Sequence, residues 1–368
     1  MLKTNPNILE INLKNIEFNI NQIQKKAGKN KILMPIIKAK AYGSGLNILS
    51  NFVKKFSIVG VAIIDEAIEL RKVGYQGEIL ILNPITKEET NIIMKNNLIP
   101  SISSFKSLKI LNQISTKTQN IVKFHLEIDT GMTRYGINLV DLEKYIKYIK
   151  KNKNLKLSGV YTHFSCSDSD ENYTNFQFQK FNKAVKQIKE QISEISFFHC
   201  SNSGAIINQI YTNEDINMIR PGLMLYGYYP NKSLKNKINL KPALILKSKI
   251  NHIKNVKENT NVGYNKSYIT TKKSKIAIIP IGYADGINRM LSNKGFVIIK
   301  KQKCPIIGNV CMDSLMVDIT AIKAVKEEDS VYLFDNKIIT IEDIAELCGT
   351  INYEIISQIG SRVRREFK

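Results

Sequence analysis

Short apolar runs alternate with amphipathic segments over the first two thirds of the chain. The segments Asp65–Val73, Asp141–Lys151 and Thr174–Ile192 carry apolar residues three and four positions apart, which predicts helices. Eight apolar runs lie around such segments up to about residue 225, and strand–helix alternation is typical of parallel strands joined by crossovers. Eight such units predict a (β/α)8 barrel rather than an open sheet. The predicted barrel strands are Ile32–Ile37, Ile58–Ile64, Glu78–Leu82, Leu98–Ser101, Ile121–Ile128, Lys156–Tyr161, Ile195–His199 and Asn217–Ile219.

The pattern changes near Lys241. From Pro242 onward the apolar runs are short, rich in β-branched residues and separated by turns, and one short helix is predicted at Ile341–Leu347. We therefore predict an α/β protein with a barrel domain at 1–240 and a mostly β domain at 241–368, with the alternative that roughly residues 1–10 pack with the second domain. The predicted strands of the second domain are Ala243–Ile250, Lys275–Ile279, Phe296–Lys300, Cys304–Ile307, Leu315–Ile319, Val331–Phe334 and Lys337–Thr340, with a hairpin turn at Asp335-Asn336 between the last two.

Composition excludes several classes of protein. The chain has 368 residues with 19 glycines and 9 prolines, so neither a collagen-like nor a low-complexity chain fits. The longest apolar runs, such as Ile58–Ile64, are far shorter than the roughly 20 residues of a membrane-spanning helix. Five scattered cysteines without a CxxC pair argue against a disulfide framework or a zinc site, and we expect no metal. Because residues 1–20 contain no continuous apolar stretch, we expect no secretory signal, no membrane partner and a cytoplasmic location.

The charge balance is the most unusual summary property. Lysine and arginine total 54 against 32 acidic residues, which gives a net charge of +22. Such a charge permits a nucleic-acid partner whose phosphates it would neutralise. The lysines, however, are spread over predicted helices rather than interleaved with aromatic residues, and no zinc-finger, RRM or helix-turn-helix signature is present. We interpret the charge as solvated surface and expect no nucleic-acid partner.

The candidate chemistry lies where the predicted strands end, because barrels place their active sites at the carboxyl ends of their strands. The first strand ends in Lys38, which is either a solvated loop lysine or a Schiff-base lysine whose pKa is lowered by desolvation. Ser203 and Gly222 follow the seventh and eighth strands, where barrels often bind phosphate; the alternative is an ordinary helix cap and a turn glycine. A lysine for a carbonyl and a phosphate site across the barrel mouth together suggest pyridoxal phosphate (PLP).

The motifs at these strand ends resemble those of the alanine racemase family, and they run in family order over essentially the whole chain. They are Lys38–Gly43 (KAKAYG), Asp129–Arg134 (DTGMTR), Thr162-His163-Phe164, Asn202-Ser203, Arg220-Pro221-Gly222, Leu225-Tyr226-Gly227, Val262-Gly263-Tyr264, Ile281–Gly286 (IGYADG), Cys311-Met312-Asp313, Asn352-Tyr353-Glu354 and Arg362-Val363. The resemblance implies a PLP-dependent barrel with a C-terminal β domain. It also implies a head-to-tail homodimer in which each active site takes residues from both subunits.

The resemblance assigns roles to particular residues. Lys38 would hold PLP and act as one catalytic base, and Tyr264 of the partner subunit would be the second base on the opposite face of the substrate Cα, as racemisation requires. A phenol is a poor base at neutral pH unless neighbours favour its anion, and the candidate neighbours are His163 and Arg220. The implied cofactor-binding residues are Lys38, Tyr42, His163, Asn202, Ser203, Arg220, Gly222, Leu223 and Tyr353, and the implied substrate-binding residues are Arg134, Met312 and Tyr283.

Arg220 is the most informative of these residues, because the resemblance implies that it faces the pyridine nitrogen of PLP. A guanidinium stays protonated and cannot pass a proton to that nitrogen as a carboxylic acid would. The ring would then be a weaker electron sink, which favours simple proton exchange over transamination. Related barrel decarboxylases place a carboxylate there instead.

The chain departs from the family pattern at four positions. Glu127 stands where many members carry a carbamylated lysine, and we predict that it supplies the negative charge that supports Arg134. Lys40 and Ser44 replace the usual Asp or Asn and the usual His beside the phosphate-binding tyrosine. Arg364 replaces a common proline, and nothing in the sequence explains it.

The resemblance implies an enzyme that interconverts L- and D-alanine and supplies D-alanine for peptidoglycan. The alternative is a racemase of the same fold with broader or different specificity, such as serine or lysine, because one sequence does not give the pocket volume. A PLP-dependent decarboxylase is disfavoured by Arg220. A non-enzymatic PLP-binding protein is disfavoured because such proteins usually lack the second domain that carries Tyr264.

Overall fold

The computed structural model describes residues 4–45, 52–210 and 215–368, and they fall into two units. The barrel unit comprises the described residues of Glu17–Ala41 and Leu46–Lys241. The β unit comprises the described residues of Met1–Ile16 together with Tyr42–Gly45 and Pro242–Lys368. Each unit is therefore assembled from more than one segment of chain. The domain bounds 1–240 and 241–368 stay a prediction.

The strands, in chain order, are β1 (Ile8–Ile11), β2 (Ile32–Leu33), β3 (Ile58–Val61), β4 (Glu78–Pro84), β5 (Ile99–Ile102), β6 (Val122–Glu127), β7 (Leu155–Tyr161), β8 (Phe197–Ser201), β9 (Met218–Ile219), β10 (Leu244–Lys249), β11 (His252–Val256), β12 (Asn261–Val262), β13 (Tyr268–Ile269), β14 (Ser274–Ile279), β15 (Phe296–Ile299), β16 (Gln302–Ile307), β17 (Leu315–Asp318), β18 (Ser330–Phe334) and β19 (Arg364–Phe367). The helices are α1 (Leu13–Ala27), α2 (Ile64–Lys72), α3 (Thr90–Lys95), α4 (Phe105–Thr118), α5 (Leu142–Lys151), α6 (Glu171–Lys189), α7 (Ser203–Asn208), α8 (Ile341–Cys348) and α9 (Asn352–Ser357). Short 3-10 turns lie at Leu139–Asp141, Leu223–Tyr226, Lys232–Lys237, Tyr264–Lys266, Tyr283–Asp285 and Arg289–Leu291.

Eight parallel strands form the sheet of the barrel unit, in the order β2-β9-β8-β7-β6-β5-β4-β3. A bridge between Ile36 and Gly60 joins the chain after β2 to β3, so the first and last strands of the sheet also meet. Every residue of β3 and β5 is buried, because strands of such a sheet are covered on both faces, and this is why they read as continuous apolar runs. The predicted (β/α)8 barrel is confirmed.

The helices of the barrel unit follow the apolar periodicity of the sequence. In α5 the buried residues Leu142, Tyr145, Ile146 and Ile149 lie three or four positions apart on one face. Helix α4 begins after Ser104, whose hydroxyl accepts a backbone N–H of the first turn and so pairs a donor that the helix itself cannot. Among the helices of the described ranges, none is both long and apolar enough to cross a membrane.

Nine strands form the main sheet of the β unit, in the order β11-β14-β17-β16-β15-β18-β10-β1-β19, and β12 pairs with β13 alone. Strand β1 lies between β10, to which it is antiparallel, and β19, to which it is parallel. The predicted mostly β second domain is confirmed. The sequence did not predict β1, β11–β13 or β19, and β11 has no fully buried residue because it is an edge strand.

The predicted strand Lys337–Thr340 and the hairpin turn before it are wrong. In this segment the Asp335 carboxylate accepts the backbone N–H groups of Lys337, Ile338 and Ile339. These bonds curl the chain into a tight loop, so the β-branched run is not extended. The loop leads directly into α8, which matches the predicted helix.

At Gly43 the Tyr42–Gly45 segment packs closely against the rest of the β unit. Its φ is +78°, and a Cβ there would lie 2.1 Å from the Ile356 carbonyl oxygen, whereas Gly349 has φ +66° and no atom within 4 Å of an added Cβ. We expect Gly349→Ala to lower the free energy of unfolding by about 1–2 kcal/mol, the cost of left-handed backbone alone. Gly43→Ala should lower it by at least about 2 kcal/mol more, because backbone must also move. Urea unfolding of both variants measures the difference, and equal losses would contradict the described packing.

Candidate active site

The residues that the sequence singles out lie in both units. Those of the barrel unit are Lys38, Arg134, His163, Asn202, Ser203, Arg220, Gly222 and Leu223, and those of the β unit are Tyr42, Tyr264, Tyr283, Met312 and Tyr353. The barrel set follows the carboxyl ends of β2, β6, β7, β8 and β9. This edge of a parallel barrel is where active sites form.

Lys38 is half-buried at the end of the run that follows β2. The N–H of Ile37 donates to the Gly60 carbonyl at 2.9 Å, which fixes the backbone just before the lysine. Burial lowers the pKa of Lys38, the positive charge of Arg134 lowers it further, and Glu66 opposes the shift. More of Lys38 is therefore a neutral amine than of an exposed lysine, and the neutral amine is the form that attacks a carbonyl or accepts a proton.

Arg220 lies 3% exposed within the barrel unit, and its guanidinium donates to backbone carbonyls. One nitrogen, Nη1, donates to the His199 carbonyl at 2.9 Å. The other, Nη2, donates to the carbonyls of Thr162 at 2.8 Å and Cys200 at 3.2 Å. The guanidinium carbon also lies 5.3 Å from the centre of the Tyr161 ring. Burial lowers the pKa of Arg220, but arginine stays protonated in proteins, so a positive charge is a fixed feature of this site.

Arg220 also determines the protonation of a row of histidines. Its Nη1 lies 2.8 Å from His199 Nδ1, and His199 Nε2 lies 2.9 Å from His125 Nδ1. Because a guanidinium only donates, His199 must accept with Nδ1 and donate with Nε2, and His125 must then carry its proton on Nε2. That Nε2 is buried and has no hydrogen-bond partner among the described residues. Burial and the charge of Arg220 lower the pKa of His163 and His199 far below the usual range and that of His125 to about 3.

Glu127 ends β6 and is buried, with a side-chain oxygen that has no partner in the described part of the chain. Burial raises the pKa of Glu127 to about 7, although the Tyr161 hydroxyl and the charges of Arg220 and Arg134 oppose the shift. Within the described residues no ion pair joins Glu127 to Arg134, which is exposed over the Tyr135 ring at 5.6 Å, so the support of Arg134 by Glu127 stays a prediction.

Ser203 and Gly222 lie close together in the barrel unit. The N–H of Gly222 donates to Ser203 Oγ at 3.2 Å, and Leu223 begins the turn that follows. Asn202 is the N-cap of α7, and its side-chain oxygen accepts the Ala205 N–H at 3.1 Å. A hydroxyl and backbone N–H groups in this place are the donors that phosphate oxygens accept.

The β unit brings its own candidates together in two places. The rings of Tyr42 and Tyr353 lie 6.3 Å apart. Tyr283 and Met312 meet through backbone bonds between their two turns, and both side chains are exposed, at 43% and 53%. Tyr264 is 70% exposed in a turn that Asn309 supports by donating to the Tyr264 carbonyl at 2.9 Å.

The residues of the barrel unit fit PLP. Lys38 offers an amine of lowered pKa, Ser203 and Gly222 offer phosphate donors, and Arg220 adds a permanent positive charge. Burial favours the neutral form of Glu127, so this carboxyl is only partly ionised near pH 7. This donor set suits a phosphorylated aldehyde together with a substrate that carries a carboxylate.

Three residues that contact this site were not predicted: His125, His199 and Glu66. His199 was visible as a polar residue at the end of a predicted strand, and His125 as a histidine within the predicted strand Ile121–Ile128. Glu66 lies in the first turn of α2, where an acidic residue is ordinary, so no sequence signal set it apart.

The other three departures from the family pattern are Lys40, Ser44 and Arg364. Lys40 is exposed, and Ser44 is buried with a hydroxyl that has no hydrogen-bond partner among the described residues. Arg364 forms an ion pair with Glu366 at 3.2 Å.

Known proteins similar to this chain match it over almost its whole length. The sequence models of "Alanine racemase, N-terminal domain" and "Alanine racemase, C-terminal domain" match residues 11–230 and 243–367. The chain is 38% identical to an alanine racemase of Halothermothrix orenii, over 99% of this chain and 97% of that protein. It is 38% identical to an alanine racemase of Methanococcus maripaludis, over 97% of each. A solved alanine racemase of Clostridium difficile superposes with a TM-score of 0.93 at 35% identity, over 99% of this chain and 96% of that one.

Fold, site and relatives together define an amino-acid racemase, which is an isomerase. The chain belongs to the alanine racemase family, and the resemblance found in its sequence is confirmed.

The raised pKa of Glu127 predicts a pH-dependent stability. The folded protein keeps a proton on this carboxyl up to about pH 7, whereas the unfolded chain releases it near the ordinary value of 4.5. Its contribution to the free energy of unfolding is therefore lost as pH rises between these values, by at most ~1.4 kcal/mol per pH unit. We expect Glu127→Gln, which cannot titrate, to lose less stability over this range than the native chain in urea unfolding. Glu69→Gln, an exposed control, should show the same pH dependence as the native chain. If the free energy of unfolding of Glu127→Gln changed with pH as steeply as that of the native chain, the raised pKa of Glu127 would be contradicted.

Proposed function

We propose that the protein interconverts L- and D-alanine with PLP, using Lys38 as one base and Tyr264 of the partner subunit as the other. The observation that carries the proposal is the half-buried Lys38 amine, whose pKa is lowered by burial at the mouth of the barrel. Bound PLP would supply an electron-withdrawing ring that stabilises the negative charge left on the substrate Cα after its proton is removed.

Lys38 would hold the cofactor and move a proton on one face of the Cα. A base at neutral pH must be unprotonated for part of the time, and the partial burial of Lys38 favours that state. The nearby Glu66 keeps the shift from becoming extreme, so the amine would both accept and return a proton.

Tyr264 would move the proton on the opposite face. Its exposure of 70%, together with the exposure of Tyr283 and Met312 in the same unit, leaves a phenol and apolar side chains available to a second copy of the chain. We therefore propose a homodimer in which each site takes Tyr264, Tyr283 and Met312 from the partner subunit's β unit.

Arg220 and His163 would fix the electrostatics between the two bases. Arg220 would donate to the cofactor ring nitrogen without giving up its proton, which favours proton exchange over reactions that need a stronger electron sink. His163, kept neutral by burial and by the cations around it, lies 3.4 Å from Arg220 Nη2 and would link that charge to the tyrosine.

The remaining predicted residues would bind the cofactor and substrate. The proposed phosphate contacts are Tyr42, Ser203, Gly222, Leu223 and Tyr353, and Asn202 is a further proposed cofactor-binding residue. Arg134, exposed and positively charged, would contact the cofactor or the substrate carboxylate. The backbone of Met312 would contact the substrate, and Tyr283 would narrow the entrance. Delivery of D-alanine to peptidoglycan and a cytoplasmic location are proposed from the family alone.

The proposal is tested by following the Cα proton of alanine in heavy water. With the native protein and PLP, proton NMR should record loss of the Cα signal from either enantiomer, and chiral analysis should approach an even mixture. Tyr264→Phe should slow inversion by about 100-fold or more, because one face then lacks a base. Lys38→Ala should abolish exchange.

Tyr268→Phe is the matched control, since it removes a phenol four residues away in the same unit, and it should behave as the native protein. Native-like inversion in Tyr264→Phe would contradict the two-base assignment. Exchange of serine or lysine but not alanine would favour the racemase of different specificity.

A further inference from the structure

The backbone after Lys38 has an unusual conformation. Ala39, Lys40, Ala41 and Tyr42 have φ values of +53°, +52°, +57° and +54°, so four consecutive non-glycine residues form a left-handed turn. Each such residue costs about 1–2 kcal/mol relative to right-handed backbone. A turn of this kind persists only where its surroundings fix it, and here it is joined directly to the candidate reactive lysine.

Glu66 is the side chain that fixes it from the barrel unit. This buried residue accepts the Lys40 N–H with Oε1 at 3.3 Å. Its other oxygen, Oε2, accepts the N–H groups of Ala62 at 2.8 Å and Ile63 at 3.4 Å. One carboxylate thus ties the left-handed turn to the chain that leads from β3 into α2.

The charge of Glu66 acts on the same lysine. Burial and Arg134 both favour the neutral form of Lys38, and Glu66 is the group that favours the charged form. Glu66 therefore affects Lys38 in two ways, through its hydrogen bond to the following turn and through its negative charge.

We propose that Glu66 is a positioning residue for Lys38, holding the left-handed turn through the Lys40 amide while its second oxygen anchors it to the start of α2. The inference rests on the proposed function, in which Lys38 is the residue that carries PLP. It adds Glu66, at the start of α2, to the residues that determine the position and reactivity of Lys38.

The simpler interpretation is that Glu66 only caps a helix. It is the third residue of α2 and accepts the N–H of the N-cap residue Ile63, as glutamates in this position commonly do. A cap stabilises its helix but does not change the reactivity of a lysine elsewhere. The two interpretations therefore differ in the chemistry of Lys38 rather than in stability.

The experiment measures covalent attachment of PLP to the full-length apoprotein. PLP is added over a range of pH, the product is trapped with borohydride, and mass spectrometry quantifies modification of Lys38. The limiting rate at high pH reports positioning, and the pH midpoint reports the proton affinity of the amine. The variants are Glu66→Gln, Glu66→Asp and the exposed control Glu69→Gln from the same helix.

Glu66→Gln should move the midpoint to lower pH, because a negative charge is lost, and should reduce the limiting rate about tenfold, because an amide cannot accept from both sides. Glu66→Asp keeps the charge on a shorter stem, so the midpoint should stay near the native value while the limiting rate falls. Glu69→Gln should change neither.

Native midpoint and rate in Glu66→Gln, with only a lower melting temperature, would overturn the inference in favour of a helix cap. If Glu66→Gln does not fold, a native limiting rate in Glu66→Asp would overturn it. Failure of the native chain to attach PLP at Lys38 would instead overturn the proposed function, and the inference with it.

Discussion

A buried guanidinium is the constraint on which the rest of the site depends. Arg220 cannot lose its charge, and the barrel surrounds it with acceptors: the carbonyls of Thr162, His199 and Cys200, a ring nitrogen of His199, and the face of Tyr161. Burying such a charge is unfavourable unless its donors are paired, and here both Nη1 and Nη2 have acceptors. The same charge keeps neighbouring groups from becoming cations.

The charge of Arg220 affects the protonation of neighbouring groups in the barrel unit. The guanidinium fixes the tautomer of His199, His199 fixes that of His125, and both rings stay neutral because burial and charge act in the same direction. Glu127 lies within reach of this field but too deeply buried to be fully ionised near pH 7. Lys38 has a lowered pKa for a separate reason, its own burial together with the charge of Arg134. A fixed cation beside neutral bases suits an enzyme that moves protons without changing oxidation state.

The parts of this structure that follow local patterns were predictable from the sequence. Buried parallel strands are continuous apolar runs, so all eight barrel strands were found. Lys38, His163 and Arg220 could be singled out as candidates because they follow strand ends. The exposed edge strand β11 has no buried face to create a pattern. The loop at Lys337–Thr340 depends on one Asp335 side chain competing with sheet pairing. Contacts such as Glu66 with Lys40 join residues distant in sequence and leave no local signal.

The most direct test of the central claim is nitrogen NMR of the histidine rings in the apoprotein. The chain has four histidines, so single substitutions assign every signal, with the exposed His252 as a reference. The account predicts that His199 and His125 each carry one proton, on Nε2, and stay neutral from about pH 5 to pH 8. A proton on His199 Nδ1, or a charged ring at either position in this range, would contradict it, because Arg220 would then not be donating to His199.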